Sequence, residues 1–231
     1  MTTPNETLAE VVVKDASRAT ILDRLGLDYC CGGTETLDHA CTRLGLDTTD
    51  VIAALDTTAT VDENHNCDQM DPAALIQHLI DVHHTYLHGE LPDLEQLAQK
   101  VLDEHGDRHP ELHQIRVHVG ALYDDLEPHM LKEERVLFPA ILQLINGPAQ
   151  FPFGSIANPI NMMRIEHDHV GEILTRLRDT TNSYAVPADA CASYRSLYER
   201  LTKLEHDTHL HVLEENHLLF PQAAALETAQ P

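Results

Sequence analysis

One phrase, written twice, constrains this chain more than any other feature of it. It reads Glu133-Glu134-Arg135-Val136-Leu137-Phe138-Pro139 and returns as Glu215-Asn216-His217-Leu218-Leu219-Phe220-Pro221. A histidine stands four residues before each first glutamate, His129 in one copy and His211 in the other, 82 positions apart. On a helix four residues advance by about 400°, so the imidazole and the carboxylate leave from one face. Such a pair can share one metal ion, and two such faces turned toward each other can hold two.

The setting for this phrase is helical. Apolar residues make up 42% of the 231 but aromatic ones only 4%, with no Trp, so Leu, Ala, Ile and Val must build the core. No stretch sustains a period-two alternation of β-branched residues, so strand signals are poor. The predicted fold class is all-α: a small N-terminal helical domain over residues 1–58, a polar linker over 59–70, and an antiparallel four-helix bundle over 71–225. In the first part, Ser17–Leu25 and Leu37–Leu44 have helical spacing and close on Gly26 and Gly45, and Asp50–Leu55 reads as a third short helix. In the bundle, prolines punctuate the helix starts at Asp71-Pro72, His109-Pro110, Asn158-Pro159 and Val186-Pro187. Short connections between long helices imply antiparallel neighbours.

The buried seams can be written residue by residue. The second bundle helix gives Ile115, Val119, Leu122, Leu126, His129, Glu133 and Val136. The third gives Ile160, Met163, His167, Val170, Leu174 and Leu177, and the fourth Leu197, Leu201, Leu204, Thr208, His211, Glu215 and Leu218. Steps of three and four mark each as a core-facing stripe. His129, Glu133, His167, His211 and Glu215 stand inside those stripes. Burying a carboxylate without a partner costs several kcal/mol, against a net stability for a whole domain of about 5–15 kcal/mol. No seam contains a lysine to offset that cost, so a metal is the partner the pattern requires. On the first helix, Ile76, Ile80, Leu87 and Leu91 mark a face that admits either His83 or His84. The step from His84 to His129 is 45 and from His167 to His211 is 44, which favours His84 and makes the bundle a doubled hairpin.

Charge and composition remove several function classes. Thirty-eight acidic against fifteen basic residues give a net charge of −23, which repels phosphate backbones and anionic lipid, so neither nucleic acid nor membrane is an expected partner. No apolar run approaches the roughly 20 residues of a membrane span, and no exporting leader opens the sequence, so a cytoplasmic location is expected. Five cysteines form no disulfide framework. Cys41, Cys67 and Cys191 read as small buried hydrophobes. Cys30 and Cys31 are adjacent and followed by Gly32-Gly33; they read equally as a structural turn or as a thiol pair for redox exchange or transfer. The Glu-x-x-His pairs Glu166/His169 and Glu214/His217 lie one residue off the seams, which argues against a ferritin-like site. His105, His109, His113 and His118 fall around a turn and read as surface residues. His209 and His217 point off the seam, His169 reads as surface or adjacent to the ligands, and Glu166 and Asp168 as neighbours of the metal histidine.

Taken together, Asp28-Tyr29-Cys30-Cys31-Gly32-Gly33, His84 ahead of Glu90-Leu91-Pro92, the two His-x-x-x-Glu phrases with their Leu-Phe-Pro, and Glu166-His167-Asp168 resemble one known family. It is that of the iron–sulfur cluster repair di-iron proteins, in which a hemerythrin-like bundle follows a short ScdA-type domain. The resemblance spans nearly the whole chain. It implies a centre of two non-haem iron ions, oxo- or hydroxo-bridged, on His84, His129, Glu133, His167, His211 and Glu215, and so settles the first-helix choice. It implies a functional role for Cys30 and Cys31, iron–sulfur proteins as clients, NO or O2 as small ligands, and a monomer or homodimer. The implied activity is repair of clusters damaged by nitrosative or oxidative stress, by iron donation, NO reduction or both. The alternative is a hemerythrin-type O2 or NO sensor or carrier. Oxygen-carrying hemerythrin resembles this arrangement but uses more histidines, including a His-x-x-x-His pair, whereas both repeated phrases here are His-x-x-x-Glu.

Overall fold

The computed structural model describes residues 1–58 and 67–229, and every regular element among them is helical. Among the described residues, no helix is long and apolar enough to cross a membrane. Four short helices come first: α1 (Leu8–Lys14), α2 (Ala19–Leu25), α3 (Leu37–Leu44) and α4 (Thr48–Thr58). The sequence reading had no counterpart to α1, although its start carries a capping box. The Thr7 hydroxyl accepts from the Glu10 amide at 3.2 Å, and the Glu10 carboxylate accepts from the Thr7 amide at 2.9 Å. Helices α2 and α3 do stop at Gly26 and Gly45, whose φ of +69° and +70° is the left-handed region that favours glycine.

This domain does not close its core alone. Leu8, Val11, Leu22, Leu27, Tyr29 and Leu37 share one apolar cluster with Leu210, Val212 and Leu213 of the fourth bundle helix. Beside it, Asp23 accepts from His206 Nδ1 at 2.7 Å and His209 Nδ1 at 2.8 Å. Burial raises the pKa of Asp23, but the two imidazoles outweigh it and bring the carboxyl from 3.8 to about 2. A depressed carboxyl stabilises the fold above its unfolded pKa and ceases to do so as pH falls through the folded one. The contribution is about 2 kcal/mol, lost between roughly pH 4 and 2. Denaturant unfolding of wild type and Asp23→Asn at pH 5 and pH 2 checks this. Wild type should lose about 2 kcal/mol more than the variant, and equal losses would refute the assignment.

The linker expected at 59–70 falls outside the described residues over 59–66. Its end, Cys67–Gln69, is a single 3-10 turn with Cys67 buried. The first bundle helix then runs as an α segment (Pro72–His78), a π turn (Leu79–His84) and an α segment (Thr85–His105). Asp71 caps it, accepting from the Ala74 amide at 2.9 Å. The second runs Glu111–Lys132, a π turn Glu133–Leu137, then Phe138–Ile145. The third is unbroken, Ala157–Thr180. The fourth runs Ala192–Glu214, a π turn Glu215–Leu219, then Phe220–Thr228. Its start lies beyond the Val186-Pro187 expected to open it, because Cys191, not Pro187, is the residue with extended backbone before the first helical turn. The first helix packs on the second and fourth, and the third on the same two.

The π turns correct two seam positions. Val136 is 46% exposed and Leu218 only partly buried, whereas Leu137 and Leu219 are fully buried. The Phe138 amide donates to Glu133 O and the Phe220 amide to Glu215 O, a reach of five residues that widens the turn and rotates the following residue inward. Pro139 and Pro221 explain the widening. Neither has an N–H for the carbonyl four residues back, and each ring crowds that carbonyl. One further correction concerns His105, expected at the surface. It is 7% exposed, with Nε2 3.1 Å from Cys191 Sγ at the start of the fourth helix.

Candidate metal centre

Six polar residues form a layer between two apolar ones. On one side lie Leu87, Leu122, Leu126, Val170 and Leu204, and on the other Leu79, Leu137, Phe138, Met163, Leu219 and Phe220. Between them His84, His129, Glu133, His167, His211 and Glu215 are each at most 2% exposed. The seam periodicity dictates this position, since each helix passes through the layer once. Three of the four cross it at a π turn carrying a layer residue: His84, Glu133 or Glu215. Single π turns of this kind recur at functional sites.

The side chains sort into two quartets that share both glutamates. In one, His84 Nε2 and His211 Nε2 are 3.2 Å apart; in the other, His129 Nε2 and His167 Nε2 are 3.1 Å apart. Glu133 turns Oε2 to His84 at 3.5 Å and Oε1 to His129 at 3.2 Å. Glu215 turns Oε1 to His211 at 3.4 Å and Oε2 to His167 at 3.1 Å. Each carboxylate therefore offers one oxygen to each imidazole pair. All four oxygens are buried without a hydrogen-bond partner. Bonds of about 2.1 Å to a common ion put neighbouring donors about 3.0–3.4 Å apart. The donor set fits two cations and leaves four orphaned oxygens without them.

The outward nitrogens are held so that Nε2 faces inward. His84 Nδ1 lies 2.8 Å from Glu134, His129 Nδ1 2.8 Å from Glu166, and His167 Nδ1 3.2 Å from Asn216 Oδ1. Acceptors there place the ring proton on Nδ1 and leave the Nε2 lone pair for a metal. Glu134 and Asn216 follow the two layer glutamates directly, so the repeat carries them at equivalent places. Sequence reasoning missed their role because one residue past a seam is about 100° off it, and only the neighbouring helix brings the histidine there. Glu166 does neighbour the site as expected, whereas Asp168 lines a cavity that Cys30 and Cys31 also border. The repeat's phenylalanines wall the layer. Phe138 stacks on His84 with centroids 5.6 Å apart, and Phe220 on His167 at 6.0 Å. Each hairpin thus covers its own lone histidine with its own Phe.

Charges in the layer are strongly coupled. Burial opposes protonation of His129, but Glu133 overcomes it, with help from Glu166 and Glu215, and raises its pKa to about 10. His84 rises for the same balance, burial against Glu133, while burial prevails at His211 and lowers it. Burial and Glu215 raise Glu133, yet His129 and His84 hold it below the usual range; His211 and His167 hold Glu215 well below. The carboxylates are thus ionised and ready to bind, and cations must displace imidazole protons to do so.

Cys30 and Cys31 are not part of this layer. Their turn is built on Asp28, whose carboxylate accepts from the amides of Cys30 at 3.1 Å, Cys31 at 3.0 Å and Gly32 at 2.9 Å. The thiols are free, with sulfurs 3.9 Å apart. Hydrogen bonding with Cys31, burial and Asp28 together push the Cys30 thiol well up, so it stays protonated. The pair borders a cavity of about 600 Å³ between α2 and the third bundle helix, lined also by Asp168, Gly171 and Glu172. The turn is tied to the layer through two side chains of the fourth helix. His217 Nε2 donates to Cys30 O at 2.9 Å, and Asn216 Nδ2 donates to the same carbonyl at 3.4 Å while its Oδ1 holds His167.

Comparison with known proteins meets the same two parts. Residues 75–223 match the profile of the hemerythrin HHE cation binding domain, and residues 4–59 match ScdA_N, a domain of unknown function (DUF542). The iron-sulfur cluster repair protein YtfE of Cronobacter sakazakii is 33% identical over 223 residues, 96% of this chain and 98% of that protein. The proteins of that name from an Enterobacter species and Escherichia coli O8 are 32% and 31% identical over the same span.

Proposed function

Since the chain belongs to the family of the iron-sulfur cluster repair proteins, we propose that it repairs iron–sulfur clusters damaged by nitrosative or oxidative stress, using two non-haem iron ions in the buried layer. The observation that carries this is the division of each buried glutamate between two imidazole pairs. His84 and His211 hold one ion and His129 and His167 the other, with Glu133 and Glu215 bridging. Imidazole with carboxylate suits iron, and four protein donors per ion leave room for a small ligand. When bound, the iron pair supplies one-electron redox steps and an exchangeable metal.

The chain's own residues do the rest. Glu134, Glu166 and Asn216 fix ring orientation, and Phe138 and Phe220 keep bulk water from the lone histidines. Cys30 and Cys31 lie close enough to close a disulfide, releasing two electrons and two protons. That is what reduction of two NO to N2O and water consumes. Alternatively, a thiolate can carry iron toward a client. Cys31 Sγ lies beside Gly171 of the third helix, where an added Cβ would meet it at an ordinary contact distance of 3.7 Å.

The test is a damaged [4Fe–4S] client incubated with chain loaded with 57Fe. Recovery of the client with label in its cluster supports donation, and N2O release supports reduction. Failure of the loaded chain to outperform the iron-free chain in either would overturn the proposal.

A further inference from the structure

A second cluster of metal-binding side chains lies beside the first and shares no residue with it. Cys67, His78 and Glu214 place a sulfur, a nitrogen and a carboxylate oxygen within 4.8 Å of one another. Cys67 is 6% and Glu214 3% exposed, and His78 is half-buried. Cys67 Sγ is 3.5 Å from His78 Nε2 and 3.5 Å from Glu214 Oε1, and His78 Nε2 is 3.3 Å from Glu214 Oε2. Around a tetrahedral zinc, with bonds of about 2.3 Å to sulfur and about 2.1 Å to nitrogen or oxygen, such donors lie about 3.6 Å and about 3.4 Å apart. The two edges to Glu214 end on different oxygens, Oε1 toward sulfur and Oε2 toward nitrogen, and each edge has the size found in a coordination polyhedron.

Two further observations point to a ligand. Glu214 Oε2 is buried and has no hydrogen-bond partner, although two histidines approach it at ion-pair distance. His83, 2% exposed, stands behind it with Nε2 3.7 Å from that oxygen and Nδ1 3.1 Å from Asp207, and neither nitrogen has hydrogen-bond geometry. His83 also separates this cluster from the buried layer, its ring 5.7 Å from that of His78 and stacked 5.5 Å from that of His211. His83, the rejected candidate on the first helix, therefore has its own place.

We propose that Cys67, His78 and Glu214 form a third metal site, mononuclear, for a divalent cation of borderline softness such as Zn2+ or Fe2+. The mixed sulfur, nitrogen and oxygen donors select such ions over calcium or magnesium. Three protein ligands leave the fourth position open to water or an incoming ligand. Binding forms the sulfur–metal bond and expels the thiol proton to solvent. His83 stands between Asp207 and Glu214, with Nδ1 toward the first and Nε2 toward the second. The ion would also fasten the short turn Cys67–Gln69 to the first and fourth bundle helices.

The test is titration of the metal-free full chain with Co2+, followed by absorption and by counting bound cobalt. A sulfur-to-cobalt charge-transfer band is expected, with three ions per chain. The band should survive in a Cys30→Ser/Cys31→Ser chain and vanish in Cys67→Ser, which should bind two. Serine keeps a hydroxyl donor for Glu214, and circular dichroism checks that the variant folds. Glu215→Gln should lose ions from the buried layer yet keep the band, which separates this site from the paired one. A band that persists in Cys67→Ser, or none in the Cys30→Ser/Cys31→Ser chain, overturns the proposal whether or not Cys67→Ser folds.

Discussion

Replacing Glu215 with glutamine is expected to empty the buried layer of metal while leaving the fold in place. Both oxygens of Glu215 face imidazole nitrogens, His167 at 3.1 Å and His211 at 3.4 Å, and neither has another partner. Glutamine keeps the shape but turns an N–H2 toward one imidazole pair, removing a donor from one ion and the bridging charge from both. Loss of an outer partner alone typically costs about 10–100-fold in metal affinity, so loss of a shared ligand should exceed about 100-fold. Metal content should fall from two ions in this layer to one or none, and repair activity with it. Wild type should also lose thermal stability on chelation, because the orphaned carboxylates return, whereas Glu215→Gln should respond little. Two ions retained by Glu215→Gln would refute the bridging assignment. Glu166→Gln tests the outer position, with a smaller loss of about 10–100-fold expected, since it removes only the charge behind His129.

Gly33→Ala should do the opposite, abolishing repair while sparing the metal. A Cβ at Gly33 would sit 2.2 Å from Tyr29 O, 2.5 Å from His217 Nε2 and 2.9 Å from the Ala9 side chain. The first of these is backbone and the second is the imidazole that donates to Cys30 O. The cysteine turn cannot keep both its own shape and its seat on the fourth helix. Overpacking of this kind costs about 1–3 kcal/mol, here concentrated at the contact between domains. The expected result is full metal loading, faster proteolysis of the N-terminal domain and loss of client repair. If repair survives with the turn displaced, Cys30 and Cys31 have no part in it.

These two variants also separate what could be read from the sequence from what could not. The helical class followed from periodicity, and the layer residues from polar side chains recurring inside apolar stripes. That inference is physically strong because an unpaired buried carboxylate is so costly. Val136 and Leu218 were misjudged because a regular helix was assumed, whereas the prolines of the repeat widen the turn and rotate the next residues. Glu134 and Asn216 were missed because they stand about 100° off the seams, and only a neighbouring helix brings a histidine to them. His105 was misjudged because a turn was taken as exposed, when the start of the fourth helix covers it.

The sequence by itself determined the candidate donor types, their helices and the doubled hairpin, because helical spacing is a local property of the backbone. Its resemblance to a known family singled out His84. Only the tertiary structure decided which histidines face each other, and it paired His84 with His211 and His129 with His167 across hairpins rather than within them. It also seated the cysteine turn on the helix that carries Glu215 and gathered Cys67, His78 and Glu214 into one cluster. Those arrangements depend on helix packing and domain docking, which bring together side chains far apart in the chain and leave no periodic trace in it.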